Sequence, residues 1–167
     1  MNWDMGKKAS SKRGLLVAVD FSEHSRAALE FAAVQADCMG VPLHVLHVVH
    51  DPGEMPGYYL KMVKRKRLTR IEDMAGELLT RFLDEIRKRF PSNKALKEAS
   101  TLLVVGLPVT RIIEVVKQLE PVQLVMGSQG RTGLKHLMLG SKAEQVLRLC
   151  PIPVTIVKSP THGGATS

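Results

Sequence analysis

The amino-acid sequence predicts an α/β doubly wound domain, a five-stranded parallel sheet with helices on both faces. Three observations carry that expectation. Short apolar, β-rich runs alternate with helical-period segments along the chain, the pattern of strands joined by crossover helices. Hydrophobic residues make up 44% of the chain but aromatics only 4%, so the core must be built from Val, Leu, Ile, Ala and Met. Such a core suits strands buried on both faces better than an antiparallel sandwich. Finally, three strand ends run directly into polar or Gly-rich turns: Asp20-Phe21-Ser22, Gly106-Leu107-Pro108 and Gly127-Ser128-Gln129-Gly130. In open α/β sheets that is where ligands bind.

The elements follow in order. After Gly14 the run LLVAVD reads as a first buried strand, and Ser22 as the N-cap of the helix behind it, with Glu23 favourable against the helix dipole. That helix covers Ser25–Met39 and is expected to bury Ala28, Phe31, Ala32 and Cys38; Gly40 ends it and Pro42 blocks its continuation. Leu43–Val49 is the second strand. A loop with two prolines and two glycines fills the stretch from His50 to Tyr59. Beyond it Ile71, Met74, Leu78, Phe82 and Ile86 recur at intervals of three or four, a helix that stops at Pro91. Thr101–Val105 is a third strand. Pro108 opens a helix with Ile112, Ile113, Val116 and Leu119 inward, tolerated there because its missing N–H has no helical acceptor. Val122–Met126 is a fourth strand, residues 127–141 a Gly-rich loop, Ala143–Leu149 a short helix and Val154–Val157 the last strand.

With 167 residues the chain can bury roughly 70% of its unfolded surface and needs neither disulfide nor metal to fold. Cys38 and Cys150 lie far apart with no CxxC or CxxH spacing, which gives zinc and thioredoxin-type chemistry almost no support; two reduced, buried thiols are expected in preference to a disulfide. The polar, basic start MNWDMGKKASSKRG has no apolar stretch behind it of signal-peptide length, and no window approaches the ~18 apolar residues of a membrane span. A cytoplasmic protein is expected. Lys and Arg number 24 against 16 Asp and Glu, a net charge of +8, and six of the ten residues Lys61–Arg70 are basic. A solvated helix entry accounts for that run more simply than a nucleic-acid or anionic-lipid patch, and a flap over a ligand is a further option.

Gly127-x-x-Gly130 directly follows a strand, and Gly140-Ser141 directly precedes a helix. Glycines let a backbone approach an anion closely, and the first N–H groups of a helix point outward as donors. A phosphate chain fits between the two, with Ser128 and Ser141 adding hydroxyls. A plain turn would look the same, and neither the Walker A spacing nor GxGxxG is met.

The string GSQGRTGLKHLMLGSKAEQVLRLCPIPVTIV from Gly127 to Val157 resembles the C-terminal signature of the universal stress protein family. Its nucleotide-binding branch carries G-x-x-G, nine residues, then G-[ST], which Gly127, Gly130, Gly140 and Ser141 match without a gap. DFSEHSRAAL is similar to the family's D-x-S-x-x-S-x-x-A-L start, and Val105-Gly106-Leu107-Pro108 to its V-G-x-P. The likeness covers residues 13–158, one domain, with 1–12 and 159–167 left as flexible tails. It implies an adenine nucleotide alpha hydrolase-like, Rossmann-like fold and an ATP-binding regulator or sensor of the stress response. By position, Asp20 would act at the ribose or at a Mg²⁺ or Mn²⁺ ion carried by the nucleotide, next to Ser22. Val19 and Val48 would line the adenine, and Met126, Gly127, Ser128, Gly130 and Arg131 would hold ribose and phosphates. Gly140, Ser141, Lys142 and Ala143 would take the phosphate tail. The resemblance also implies a homodimer through Val154–Val157, an apolar strand that would be an aggregation hazard if left as an open edge.

The enzymatic alternative is a slow ATP hydrolase or nucleotidyl-transfer relative, although no base to orient water is assignable. A basic nucleic-acid- or membrane-binding module rests on charge alone. His44, His47 and His50 alternate across a strand and so cannot converge on a metal. Asp20, Ser22 and His24 invite a nucleophilic reading, but the cap explains Ser22 more simply.

Overall fold

The computed structural model describes residues 13–50, 71–130 and 139–159. Residues 1–12 and 160–167, most of the Pro/Gly loop, the basic run Lys61–Arg70 and Arg131 lie outside the described residues.

Ten elements lie among the described residues: β1 (Leu15–Val19), α1 (Glu23–Met39), β2 (Leu43–Val49), α2 (Ile71–Arg89), α3 (Lys94–Lys97), β3 (Ser100–Val105), α4 (Pro108–Leu119), β4 (Gln123–Gly127), α5 (Ser141–Leu149) and β5 (Val154–Val157). All strand pairs are parallel and the order is β3-β2-β1-β4-β5. The sheet therefore grows outward from β1 in one direction and from β4 in the other. Among the described residues β5 and β3 are its two edges.

Side-chain alternation divides the core into two layers. On one face Leu15, Val17, Val19 and Val45 pack against Ala28, Ala32 and Ala36 of α1 and Leu79, Phe82 and Ile86 of α2. On the other, Leu16, Leu46, Leu124 and Met126 pack against Ile112 and Val116 of α4 and Val146 of α5. The aliphatic composition is thus used on both faces, as a doubly wound sheet requires.

Local signals act where expected. The Ser22 side chain accepts from the Ser25 N–H to cap α1, and Gly40 ends it in the left-handed region at φ 62°. Pro108 stands in the first turn of α4.

Several details differ from the sequence reading. Phe31 and Cys38 are exposed, because α1 seats itself on the sheet through the narrow stripe Ala28, Leu29, Ala32, Ala33 and Ala36. Both thiols are free, but Cys150 is only half-buried and neither belongs to the interior. In α2 Leu79 rather than Leu78 reaches the core, while Met74, Phe82 and Ile86 are buried as expected. β3 starts at Ser100, β4 ends on Gly127, and α1 and α5 each begin two residues earlier than expected. α3 is a short additional helix. Asn93 caps it, and Asp37 Oδ1 accepts from its Lys94 and Ala95 N–H groups.

Candidate functional site

β1 and β4 are neighbours whose following helices leave toward opposite faces, α1 to one and α5 to the other. Their carboxyl ends therefore open a crevice at the point where the strand order reverses.

At the end of β1 the chain turns sharply through Asp20, Phe21 and Ser22. Phe21 occupies the left-handed region at φ 65°, which folds the Ser22 N–H back onto the side chain before it. Asp20 Oδ1 accepts from the Ser22 N–H at 3.1 Å and from the Ser22 hydroxyl at 2.6 Å. The second oxygen, Oδ2, faces the opposite loop: a β-carbon on Gly130 would lie 2.9 Å from it.

Across the crevice, the loop after β4 is tied down at Ser128. Its N–H donates to Val157 O at 2.8 Å and its carbonyl accepts from Gly140 N–H at 2.7 Å. Its hydroxyl lies 3.1 Å from His24 Nδ1 on α1. The Ser159 N–H, which can only donate, reaches the same nitrogen at 3.1 Å. His24 Nδ1 is therefore the acceptor. Ser128 joins β4, β5, α1 and the cap of α5, and it is buried.

Gly140 is the N-cap of α5 and offers no capping side chain. The N–H groups of Ser141, Lys142 and Ala143 thus have no acceptor within the helix and stand at its positive end. Gly140 also lets the two loops touch: its β-carbon would meet Gln129 Cα and Ser128 O at 3.4 Å and Gly130 N at 3.7 Å. Gly130 thus lies between the Asp20 carboxylate and Gly140, the residue that opens α5. A carboxylate on one wall and free helical N–H groups on the other suit a molecule carrying both hydroxyls and phosphate.

The structure brings together Asp20, Gly130, Gly140 and the first residues of α5. Val48 and Met126 share the layer of α4 and α5, whereas Val19 is buried in the layer of α1 and α2. Val19 and Val48 thus cannot form one apolar wall with their side chains, because neighbouring positions of a parallel pair alternate in face. The Val19 carbonyl accepts from His47 Nδ1 at 2.8 Å. Gly127 is a packing position: a β-carbon there would stand 2.7 Å from the backbone carbon of His24. The hydroxyls of Ser22 and Ser128 serve as clamps within the fold. Two residues that carry the geometry, His24 and Phe21, gave no local signal of it; His24 meets Ser128 across 104 residues of chain. Among the described residues, His44, His47 and His50 included, no group of three or more His, Cys, Asp or Glu could hold a metal ion. No helix among the described residues is long and apolar enough to cross a membrane.

Comparison with known proteins places this geometry among relatives. The universal stress protein family matches residues 13–158. A universal stress protein of Methanocaldococcus jannaschii is 26% identical over 152 residues, covering 86% of this chain and 93% of the relative. One from Bacillus subtilis is 29% identical over 153 residues, covering 86% and 97%. Among solved structures, the M. jannaschii protein superposes with a TM-score of 0.66 at 24% identity, over 87% of this chain and 96% of that one. The universal stress protein of Archaeoglobus fulgidus in complex with dAMP gives a TM-score of 0.60 at 25% identity, over 88% and 98%.

Proposed function

This chain belongs to the universal stress protein family, and on that premise we propose that it binds ATP in the β1–β4 crevice and acts as a nucleotide-dependent regulator or sensor in the cytoplasm. The observation that carries the reading is the convergence of Asp20 Oδ2, Gly130 and the uncapped start of α5 at the point where strand order reverses. The A. fulgidus relative in complex with dAMP supports an adenine nucleotide as the ligand class.

In this reading the phosphates lie on the N–H groups of Ser141, Lys142 and Ala143, where the helix dipole favours negative charge. Gly130 and Gly140 keep that path free of side chains. Asp20 accepts from a ribose hydroxyl or holds a metal ion that arrives with the phosphates. A single carboxylate fits the second role, since Mg²⁺ is commonly held by one or two carboxylates plus phosphates and water. Val48 and Met126 offer apolar surface on the layer nearest α5. Val19 contributes its backbone.

ATP is then a ligand whose occupancy shifts conformation and stability. Nucleotide at 100- to 1,000-fold above its dissociation constant would stabilise the fold by roughly 2.7–4.1 kcal/mol. The working unit is a homodimer through the open edge of β5.

The deciding experiment is twofold. Purified protein is denatured and the supernatant chromatographed for ATP, ADP or AMP; then ATP is titrated calorimetrically into wild type and Asp20→Ala, with Mg²⁺ and with EDTA. Adenine nucleotide in the supernatant and a loss on Asp20→Ala support the site. A loss confined to the Mg²⁺ arm assigns Asp20 to the metal, and an equal loss in EDTA assigns it to the ribose. Wild-type affinity in Asp20→Ala would remove Asp20 from the site.

A further inference from the structure

Among the described residues only two other than glycine have positive φ, Phe21 at 65° and Glu120 at 44°. Glu120 needs no special account, because it is the left-handed C-cap of α4 and its N–H donates to Val116 O. Phe21 ends no helix. A bulky residue in the left-handed region is strained, and glycine is the usual solution for such a turn.

The aromatic side chain has a specific seat. The Phe21 ring packs at a 37° tilt against the His47 ring with centroids 4.3 Å apart and meets Phe82 of α2 edge-on at 5.5 Å. Each partner is held in turn. His47 is buried and its Nδ1 donates to Val19 O at 2.8 Å; a carbonyl can only accept, so the proton sits on Nδ1. Phe82 carries the Arg26 guanidinium over its face at 4.9 Å, and Arg26 pairs with Glu85 at 2.8 Å. The turn at Phe21 is thus clamped from the α1–α2 layer, while its neighbour Asp20 projects toward the crevice.

We propose that Phe21 is a positioning residue for the ligand-binding carboxylate: its ring, locked between His47 and Phe82, holds the left-handed turn that ties Asp20 Oδ1 to Ser22 and leaves Oδ2 aimed at Gly130. The inference rests on the nucleotide reading of the crevice, and deepens it by naming what orients the acid. Glycine would adopt the same φ with less strain but has no ring to anchor. The turn would then sample other conformations, and Asp20 would spend less time facing the ligand. Strain held by packing beside a binding site is a known form of preorganisation.

The test uses Phe21→Gly, Phe21→Leu, Asp20→Asn and the double variant Phe21→Gly/Asp20→Asn, with two readouts. Hydrogen exchange at the Ser22 amide reads the turn with no ligand present. We expect exchange to accelerate at least about tenfold in Phe21→Gly and by less in Phe21→Leu, which keeps apolar volume should the glycine variant fold poorly. Calorimetric ATP titration reads the consequence. Affinity should fall about tenfold in Phe21→Gly, yet by less than about twofold when the same change is made on Asp20→Asn. Unchanged Ser22 protection overturns the proposal whether or not nucleotide binds. So does an equal affinity loss in both backgrounds, which would make Phe21 merely structural. Altered Ser22 protection with no ATP binding by wild type would sink the nucleotide reading and leave only a rigid turn, which also overturns the proposal as stated.

Discussion

Asp20 and Gly130 face each other across the crevice so closely that a β-carbon on Gly130 would stand 2.9 Å from Asp20 Oδ2. The pair brings the ends of β1 and β4 together, so a side chain at Gly130 would press directly on the Asp20 carboxylate.

Gly130→Val should lower ATP affinity at least about tenfold, or ~1.4 kcal/mol, by pushing on Asp20 and filling the path to α5. Gly140→Val meets its neighbours only at 3.4 Å, so its main effect should come from a side chain among the free N–H groups rather than from a clash. Circular dichroism establishes folding, and calorimetry reads affinity. Wild-type affinity in both folded variants would remove the phosphate path from this loop.

Gly127→Ala should behave differently. Its β-carbon would lie 2.7 Å from the His24 backbone, so α1 must shift on the sheet. Overpacking of this kind costs about 1–3 kcal/mol, and each kcal/mol lowers the melting temperature by about 2–4 °C in a chain of this size. Thermal unfolding without nucleotide is the measurement. Unchanged stability with lost ATP binding would make Gly127 a ligand contact instead.

The pH dependence of stability has a named contributor. His44, at the start of β2 with Nδ1 2.6 Å from Ser100 Oγ, is held below the ordinary histidine pKa of 6.5 by burial. Below that value the unfolded chain binds the proton more readily than the folded one. The stability His44 allows is fully present above pH 6.5 and declines as pH falls toward its lowered folded value. His44→Gln should therefore flatten the melting-temperature profile between about pH 7 and 5. A profile of unchanged slope in that window would clear His44.

β5 is an edge of the sheet, and its hydrogen-bond phase chooses the informative proline. The carbonyls of Pro153 and Val157 accept from Leu124 and Ser128 on the β4 side. With a period of two, Thr155 also faces β4 and Ile156 turns its N–H to the open edge. Ile156→Pro should convert a dimer to monomers and lower the melting temperature only by the partial packing of its side chain and the lost partner, whereas Thr155→Pro should also remove a bond to β4 and destabilise the fold more. Light scattering behind a sizing column measures the mass. A wild-type mass near the 18.4 kDa of one chain across micromolar concentrations would end the proposal of a β5 dimer.

Local chemistry made much of this molecule legible from its residues. Strand and helix periods, the Ser22 cap, the Gly40 stop and Pro108 are properties of a few adjacent residues, and each stands where its sequence put it. The spacing of Gly127, Gly130, Gly140 and Ser141 likewise located the end of β4 and the start of α5. Packing set the rest. Phe31 and Cys38 have the right period for a buried stripe, but α1 rests on its alanines, and only the width of the contact decides which flank stays wet. Val19 and Val48 look like equivalent strand ends until the β1–β2 register assigns them to opposite layers. Ser128 stands in the loop by sequence, but only the fold shows that its N–H, carbonyl and hydroxyl each meet a partner on another element. Such assignments depend on contacts between residues far apart in the chain. A left-handed Phe21 is the clearest case: no propensity favours it, and it persists because His47 and Phe82, brought in by β2 and α2, close around its ring.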